Sequence, residues 1–156
     1  MITAVDTNIL LDLLIPQASF SAESKTWLDD SYARGSIIIS DVVYVELAAQ
    51  FASHDELQLF LADTSIRLEH SQPRALYLAS EAWRSYTSRR IGGLQCSRCG
   101  EVESVNCPNC GSTLTSRQHV LADFLIGGHA LTQSDRLLTR DRGYYRTYFP
   151  ELRLLQ

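Results

Sequence analysis

Two groups of residues in this 156-residue chain have types and spacings that could do chemistry, and they call for different metals. The first is a set of four carboxylates placed where plain packing would not put them. Asp6 follows the apolar run Ile2 to Val5, and Glu46 sits in Val43-Tyr44-Val45-Glu46-Leu47. Asp123 lies inside the apolar stretch Val120 to Ile126, and Asp141 follows Leu137-Leu138-Thr139-Arg140. In an open parallel sheet, ligands bind beyond the carboxyl ends of the strands, where the strand order reverses. An acid that ends a strand lies at that edge, and a helix that follows a parallel strand begins there. A helix that feeds the next strand also has its early residues there, so the four acids are expected to converge. Converging carboxylates repel one another and resist burial. A hard divalent ion with oxygen ligands, Mg²⁺ or Mn²⁺, offsets that cost. Singly, each acid also has an ordinary reading as a cap, a turn or a surface residue, and Asp141-Arg142-Gly143 is ordinary turn sequence. The set of four together points to a site.

The second group is Cys96-Ser97-Arg98-Cys99-Gly100 and Cys107-Pro108-Asn109-Cys110-Gly111, two Cys-x₂-Cys-Gly knuckles separated by seven residues. Two thiolates three positions apart grip one face of a tetrahedral ion, and the second knuckle supplies the other face. The glycine after each pair permits the left-handed turn that aims backbone N–H groups at sulfur. Four thiolates with no open position read as structural zinc. Disulfides, with three pairings, and a rubredoxin-type or iron–sulfur site are the alternatives. Zinc is preferred because the knuckles repeat and the compartment reads as reducing. The segment has little apolar content, so the metal is its main source of folding energy.

The elements that must position these residues read as alternating strands and helices, which is α/β with a parallel sheet of four or five strands. Ile2 to Val5 is a buried strand, and an apolar helix follows Asp6-Thr7-Asn8 and stops at Pro16. A helix over about Ser21 to Arg34 ends at Gly35 and leads into the β-branched strand Ser36 to Ile39. Ser40 caps a helix through Phe51, and Ser53 with Glu56 forms a capping box. A third strand lies around Ile66 to Leu68, and Pro73 opens a long amphipathic helix. The polar segment Leu94 to Ser116 holds every cysteine. Ser116 then caps a helix through Asp123 to about Ala130; Leu137-Leu138 and Leu152 to Leu155 supply the last strands.

Four stretches together carry a family resemblance: Ala4-Val5-Asp6-Thr7-Asn8-Ile9-Leu10-Leu11-Asp12-Leu13-Leu14, Val43-Tyr44-Val45-Glu46-Leu47, Leu121-Ala122-Asp123-Phe124-Leu125-Ile126-Gly127-Gly128-His129-Ala130, and Leu138-Thr139-Arg140-Asp141-Arg142-Gly143-Tyr144-Tyr145. In order and spacing they resemble the motifs of PIN-domain ribonucleases, and most nearly the VapC-type toxins of prokaryotic toxin–antitoxin pairs. The resemblance implies a three-layer α/β/α fold over residues 1–92 and 117–156, outside the cysteine segment, and the knuckles make residues 93–116 an inserted zinc-ribbon-like module. The resemblance further implies a metal-dependent endoribonuclease acting on RNA, a homodimer and an antitoxin partner. Carried over position by position, Asp6, Glu46 and Asp123 match the core metal-binding acids, and Asp141 the fourth, less constant one. Thr7, Asn8 and Thr139 fall at polar positions that help order the site or its water. Gly127-Gly128 stand where small alanines are common, a departure that affects packing more than chemistry. The insert departs from the usual compact chain and raises two alternatives. One is a PIN nuclease of ribosomal RNA maturation, although in those the ribbon follows the domain. The other is an idle PIN scaffold whose ribbon binds protein or nucleic acid, against which the four intact acids weigh.

Composition narrows the field further. Hydrophobic residues make up 45% and charged residues 21%, the balance of a globular protein and not of a disordered or collagen-like one. No apolar run approaches a membrane span, and Asp12 interrupts the apolar start, so no membrane association and a cytoplasmic location are expected. Residues 1–70 carry eleven acids against three bases, whereas residues 71–156 carry seven acids against eleven arginines. Arg89, Arg90, Arg98 and Arg117 flank or occupy the insert and are candidate RNA phosphate contacts. His119, four residues before Asp123, reads as a solvent or packing histidine, and His129 as helix packing or a dimer contact. Tyr144, Tyr145, Tyr148 and Phe149 read as a terminal packing cluster more than as base-stacking residues. No Ser–His–acid order points to a covalent nucleophile.

Overall fold

The computed structural model describes residues 1–15, 19–88, 94–95, 101–113, 120–141 and 143–155. In chain order these form β1 (Ile2–Val5), α1 (Thr7–Leu14), α2 (Ser21–Arg34), β2 (Ser36–Ile39), α3 (Asp41–Ala48), α4 (His54–Asp63), β3 (Ile66–Leu68) and α5 (Pro73–Ser88). There follow β4 (Leu94–Gln95), β5 (Val102–Glu103), α6 (Val120–Gln133), β6 (Arg136–Leu138), α7 (Gly143–Tyr148) and β7 (Leu154–Leu155).

The main sheet has five parallel strands in the order β3-β2-β1-β6-β7. The chain moves one way from β1 to β3, then crosses back to β6 on the other side of β1. Right-handed crossovers in opposite directions place helices on both faces of such a sheet. The strand order reverses between β1 and β6, which are paired with Val5 beside Leu138. Ile37, Ile38 and Ile39 are each no more than 1% exposed, as are Val5, Leu137 and Leu138. Strands buried on both faces need no polar alternation, and their uninterrupted apolar runs reflect that.

Local signals act as expected at several helix ends. Ser40 accepts the Val43 N–H, and Ser53 accepts that of Glu56 at 3.2 Å while Glu56 reaches back to the Ala52 N–H at 3.1 Å. Gly35 ends α2 with φ of 154°, and a Cβ there would lie 2.0 Å from the Met1 carbonyl oxygen. The helix expected to run through Phe51 stops at Ala48, because the Gln50 and Phe51 N–H groups bond three residues back and tighten the last turn. The last strand is shorter than Leu152 to Leu155, and the strand before it starts one residue early, at Arg136. That arginine is buried and places its Nε 2.9 Å from the Thr3 hydroxyl.

α5 and α6 pack closely where Gly128 faces α5, and Gly127 makes the matching room for Phe149. A Cβ on Gly128 would come within 2.4 Å of the Ala75 carbonyl oxygen, and one on Gly127 within 2.4 Å of the Phe149 ring. At the start of α6, Phe124 is ringed by Trp83, Tyr86, Tyr144, Tyr148 and Phe149. The expected aromatic packing cluster thus clamps the helix turn that carries Asp123 against α5 and α7. No helix of the described residues is long and apolar enough to cross a membrane.

In the cysteine segment, β4 and β5 pair antiparallel, and Asn106 bridges Thr113 across the turn that holds Cys107 and Cys110. Cys96, Cys99, Arg89, Arg90, Arg98, Arg117, His119 and the cap at Ser116 lie outside the described residues.

Candidate metal centre

Asp6 follows β1, while Thr139 and Asp141 follow β6, so the crevice at the strand-order reversal is lined from both sides. Asp6 takes the N-cap position of α1, yet its carboxylate makes no capping hydrogen bond. Its Oδ2 instead accepts from Thr139 Oγ1 at 2.6 Å, Asn8 Nδ2 at 2.8 Å and the Tyr145 hydroxyl at 3.3 Å. The ordinary reading of Asp6 as a helix cap therefore fails. Asn8 is itself oriented, because its Oδ1 accepts the Arg140 N–H at 3.2 Å. Thr139 Oγ1 also accepts the Asp141 N–H at 3.0 Å, and Asp141 Oδ1 accepts the Gly143 N–H at 3.1 Å. On α3, Glu46 accepts a hydrogen bond from Thr7 Oγ1. The polar trio Thr7, Asn8 and Thr139 thus touches two of the carboxylates and the backbone of a third acid, Asp141.

Asp6 and Asp123 each feel the charges of neighbouring acids. Burial pushes the Asp6 carboxyl up to about 6; the Thr139 hydrogen bond opposes this, and the charges of Asp141 and Glu46 reinforce it. Asp123 is pushed up to about 8, first by burial and then by repulsion from Asp6, Asp141 and Glu46. Burial also raises Asp141, against the pull of the Gly143 N–H. None of the four has an ion-pair partner among the described residues. Arg140, the adjacent cation, is committed elsewhere. Its Nε lies 2.8 Å from Asp12 Oδ2, off the N–H axis, and its Nη2 donates to Asp12 Oδ1 at 3.0 Å. Its guanidinium also stacks 4.5 Å from the Phe20 ring centroid, and Ser24 completes the Asp12 shell at 2.6 Å.

The donor set therefore suits a hard cation: oxygen ligands only, excess negative charge, and hydroxyl and amide donors orienting the carboxylates. Among the described residues, no three His, Cys, Asp or Glu side chains are grouped closely enough to hold a metal ion as they stand. The charges of Asp6, Asp141 and Glu46 all act on Asp123.

Two side chains at this edge escape sequence reasoning. Tyr145 is wholly buried, and burial together with the charges of Asp6, Asp123 and Asp141 keeps its hydroxyl protonated far above the usual phenol range. Arg140 fixes Asn8 while pairing with Asp12. His129 is buried with Nε2 2.9 Å from the Glu69 carbonyl oxygen, so it packs inside the molecule and offers no dimer contact.

The described half of the cysteine segment is a formed turn. The Gly111 N–H bonds the Cys107 carbonyl at 2.9 Å, and Gly111 takes the left-handed φ of 71°. Cys107 and Cys110 carry free thiols. Hydrogen bonds from the Ser112 hydroxyl and backbone and from Cys107 hold the Cys110 thiol below its ordinary pKa, favouring the thiolate. That chemistry suits a zinc ligand.

No family model and no curated protein matches the chain. Among solved structures, it matches a chain in the crystal structure of VapBC2 from Rickettsia felis bound to a DNA fragment from their promoter, with a TM-score of 0.57. The match covers 99% of this chain and 98% of that one, at 16% sequence identity. The two chains share a fold. The likeness spans nearly the whole length of both chains.

Proposed function

We propose that this chain is a metal-dependent endoribonuclease and the VapC-like toxin of a toxin–antitoxin pair. One observation supports the proposal: at the strand-order reversal the charges of Asp141 and Glu46 act on Asp6, and those of Asp6, Asp141 and Glu46 act on Asp123, with no ion pair from the described residues to any of them. Asp6, Glu46, Asp123 and Asp141 hold one or two Mg²⁺ or Mn²⁺ ions in this reading. The ion supplies a lowered pKa for the attacking water and neutralises charge on the scissile phosphate. The chain's own residues do the positioning. Thr7 fixes Glu46, while Asn8 and Thr139 hold Asp6 and, through the Asp141 N–H, the β6–α7 turn. RNA is the substrate, and Arg89, Arg90, Arg98 and Arg117 are its phosphate contacts. Cys96, Cys99, Cys107 and Cys110 hold one structural zinc in the module at 93–116. The shared fold with a chain of a VapBC complex supports an antitoxin partner and a homodimer.

The test is cleavage of RNA by purified wild-type protein and Asp6→Asn, with Mn²⁺ and with chelator. Cleavage that needs both the metal and Asp6 is the expected result. Metal-independent cleavage, or an Asp6→Asn variant at the wild-type rate, overturns the assignment. Elemental analysis checks the zinc separately, at an expected value of about one ion per chain.

A further inference from the structure

All three side-chain hydrogen bonds to Asp6 land on one oxygen. Asn8, Thr139 and Tyr145 each donate to Oδ2, and Oδ1 receives no side-chain donor from the described residues. An ionised carboxylate has about four lone-pair sites over its two oxygens, so three donors saturate Oδ2. A carboxylate held this way keeps its other oxygen clear of side-chain donors from the described residues. Two of the donors come from the polar positions beside the acid motifs. The third comes from α7, 139 residues away in sequence.

Tyr145 is more than filler there. Its ring is fully buried, beside a cluster in which Phe124 and Phe149 already pack without a hydroxyl. A buried phenol carries a polar atom that must find a partner, and the partner found here is the acid that ends β1. Two residues earlier in α7, the Gly143 N–H holds Asp141 Oδ1. The first turn of this helix therefore addresses two of the four carboxylates at once.

We infer that Tyr145 is a positioning residue which, with Asn8 and Thr139, fixes Asp6 so that Oδ1 alone is presented to the cation. The inference rests on the metal-dependent reading above and deepens it. Hydrogen-bonded partners behind a metal ligand are commonly worth 10- to 100-fold in metal affinity.

Mn²⁺ titration of the full chain by calorimetry, in wild type, Tyr145→Phe, Asp6→Asn and the double variant, tests it. Phenylalanine keeps the ring and removes only the donor. Tyr145→Phe is expected to bind Mn²⁺ roughly tenfold more weakly, with a melting temperature in chelator within about 2 °C of wild type. In the Asp6→Asn background, the same change is expected to move the residual affinity less than about twofold, because the effect runs through Asp6. Wild-type Mn²⁺ affinity in Tyr145→Phe overturns the inference, and so does an equal loss in the Asp6→Asn background. Unfolding of Tyr145→Phe assigns the hydroxyl to stability and overturns it as well. A wild-type protein with no Asp6-dependent Mn²⁺ binding defeats the metal-dependent reading itself, and the positioning role falls with it.

Discussion

The carboxylate edge and the cysteine segment are built on opposite plans. Every strand end that carries an acid is anchored in the core: Val5, Ile39 and Leu138 are at most 1% exposed. Asp6 and Asp123 are held there against their own repulsion, with carboxyls pushed up to about 6 and about 8. In the segment 101–113, by contrast, every residue is exposed except Cys107, which is half-buried, and Val102 and Val105 face solvent at 52% and 39%. The first region has surplus folding energy from the core and spends some of it on a charged site. The second has almost no apolar surface to bury, so its order must come from hydrogen bonds and a bound ion. A metal is a cofactor for one and a fold determinant for the other.

The largest test of that contrast is catalytic. Asp123→Asn keeps the shape of the side chain and removes its charge, so the fold is expected to remain while RNA cleavage falls by about 10²-fold or more. Circular dichroism and single-turnover cleavage check the two halves of this statement. Cys110→Ser is expected to do the reverse. Zinc content falls to none, amide exchange accelerates across 101–113, and the melting of the core changes little. A core that melts together with the segment breaks the comparison.

A third expectation concerns pH and metal-free stability. A carboxyl whose folded pKa is raised contributes stability that is fully present below its unfolded value and lost as pH rises through the folded value. For Asp6 this window runs from about 4 to about 6, and for Asp123 from about 4 to about 8. In chelator, the protein is therefore expected to lose stability on going from pH 4 to pH 8. Asp123→Asn should remove the upper part of that loss and be the more stable protein at pH 8, by about 3 kcal/mol or roughly 8 °C. Saturating Mg²⁺ should narrow the gap from the wild-type side. Thermal melts of both proteins across this range measure it, and parallel curves would show that Asp123 is not strained.

Much of this was legible because strand ends announce themselves. Asp6 and Asp141 each follow an apolar β-branched or leucine run, and the topology rule alone sends both to one edge. Glu46 and Asp123 needed the additional step of knowing which end of a helix faces that edge. Tyr145 and Arg140 were not legible, for a common reason. Each acts on a residue more than 120 positions away, on Asp6 and on Asp12 respectively. Tyr144-Tyr145 reads as packing, and nothing local separates the phenol that packs from the one whose hydroxyl meets a carboxylate. Asp12 reads only as a charge that interrupts an apolar run, whereas it is 5% exposed and holds Arg140 beside the site. The helix that stops at Ala48 shows the same limit at short range, since capping signals set where helices start more firmly than where they fray.

The smallest expected effect tests whether the acid edge depends on close backbone contact. Gly127 and Gly128 are neighbours on α6, but an added methyl group meets different obstacles at each. At Gly128 it would meet the Ala75 carbonyl oxygen, which belongs to the backbone of α5 and cannot turn aside. At Gly127 it would meet the Phe149 ring, a side chain with rotamer freedom although it is buried. Alanine in a helix interior gains about 1 kcal/mol over glycine, and overpacking costs about 1–3 kcal/mol. The balance should be a net loss of about 1.5 kcal/mol for Gly128→Ala and close to zero for Gly127→Ala. Because α6 also carries Asp123, the helix shift forced by Gly128→Ala should lower cleavage severalfold in protein that is still folded, while Gly127→Ala cleaves like wild type. Chemical denaturation and cleavage rates of the two variants measure both quantities. Equal effects at the two positions would mean that α5 and α6 are free to separate, and that the placement of Asp123 does not depend on their contact.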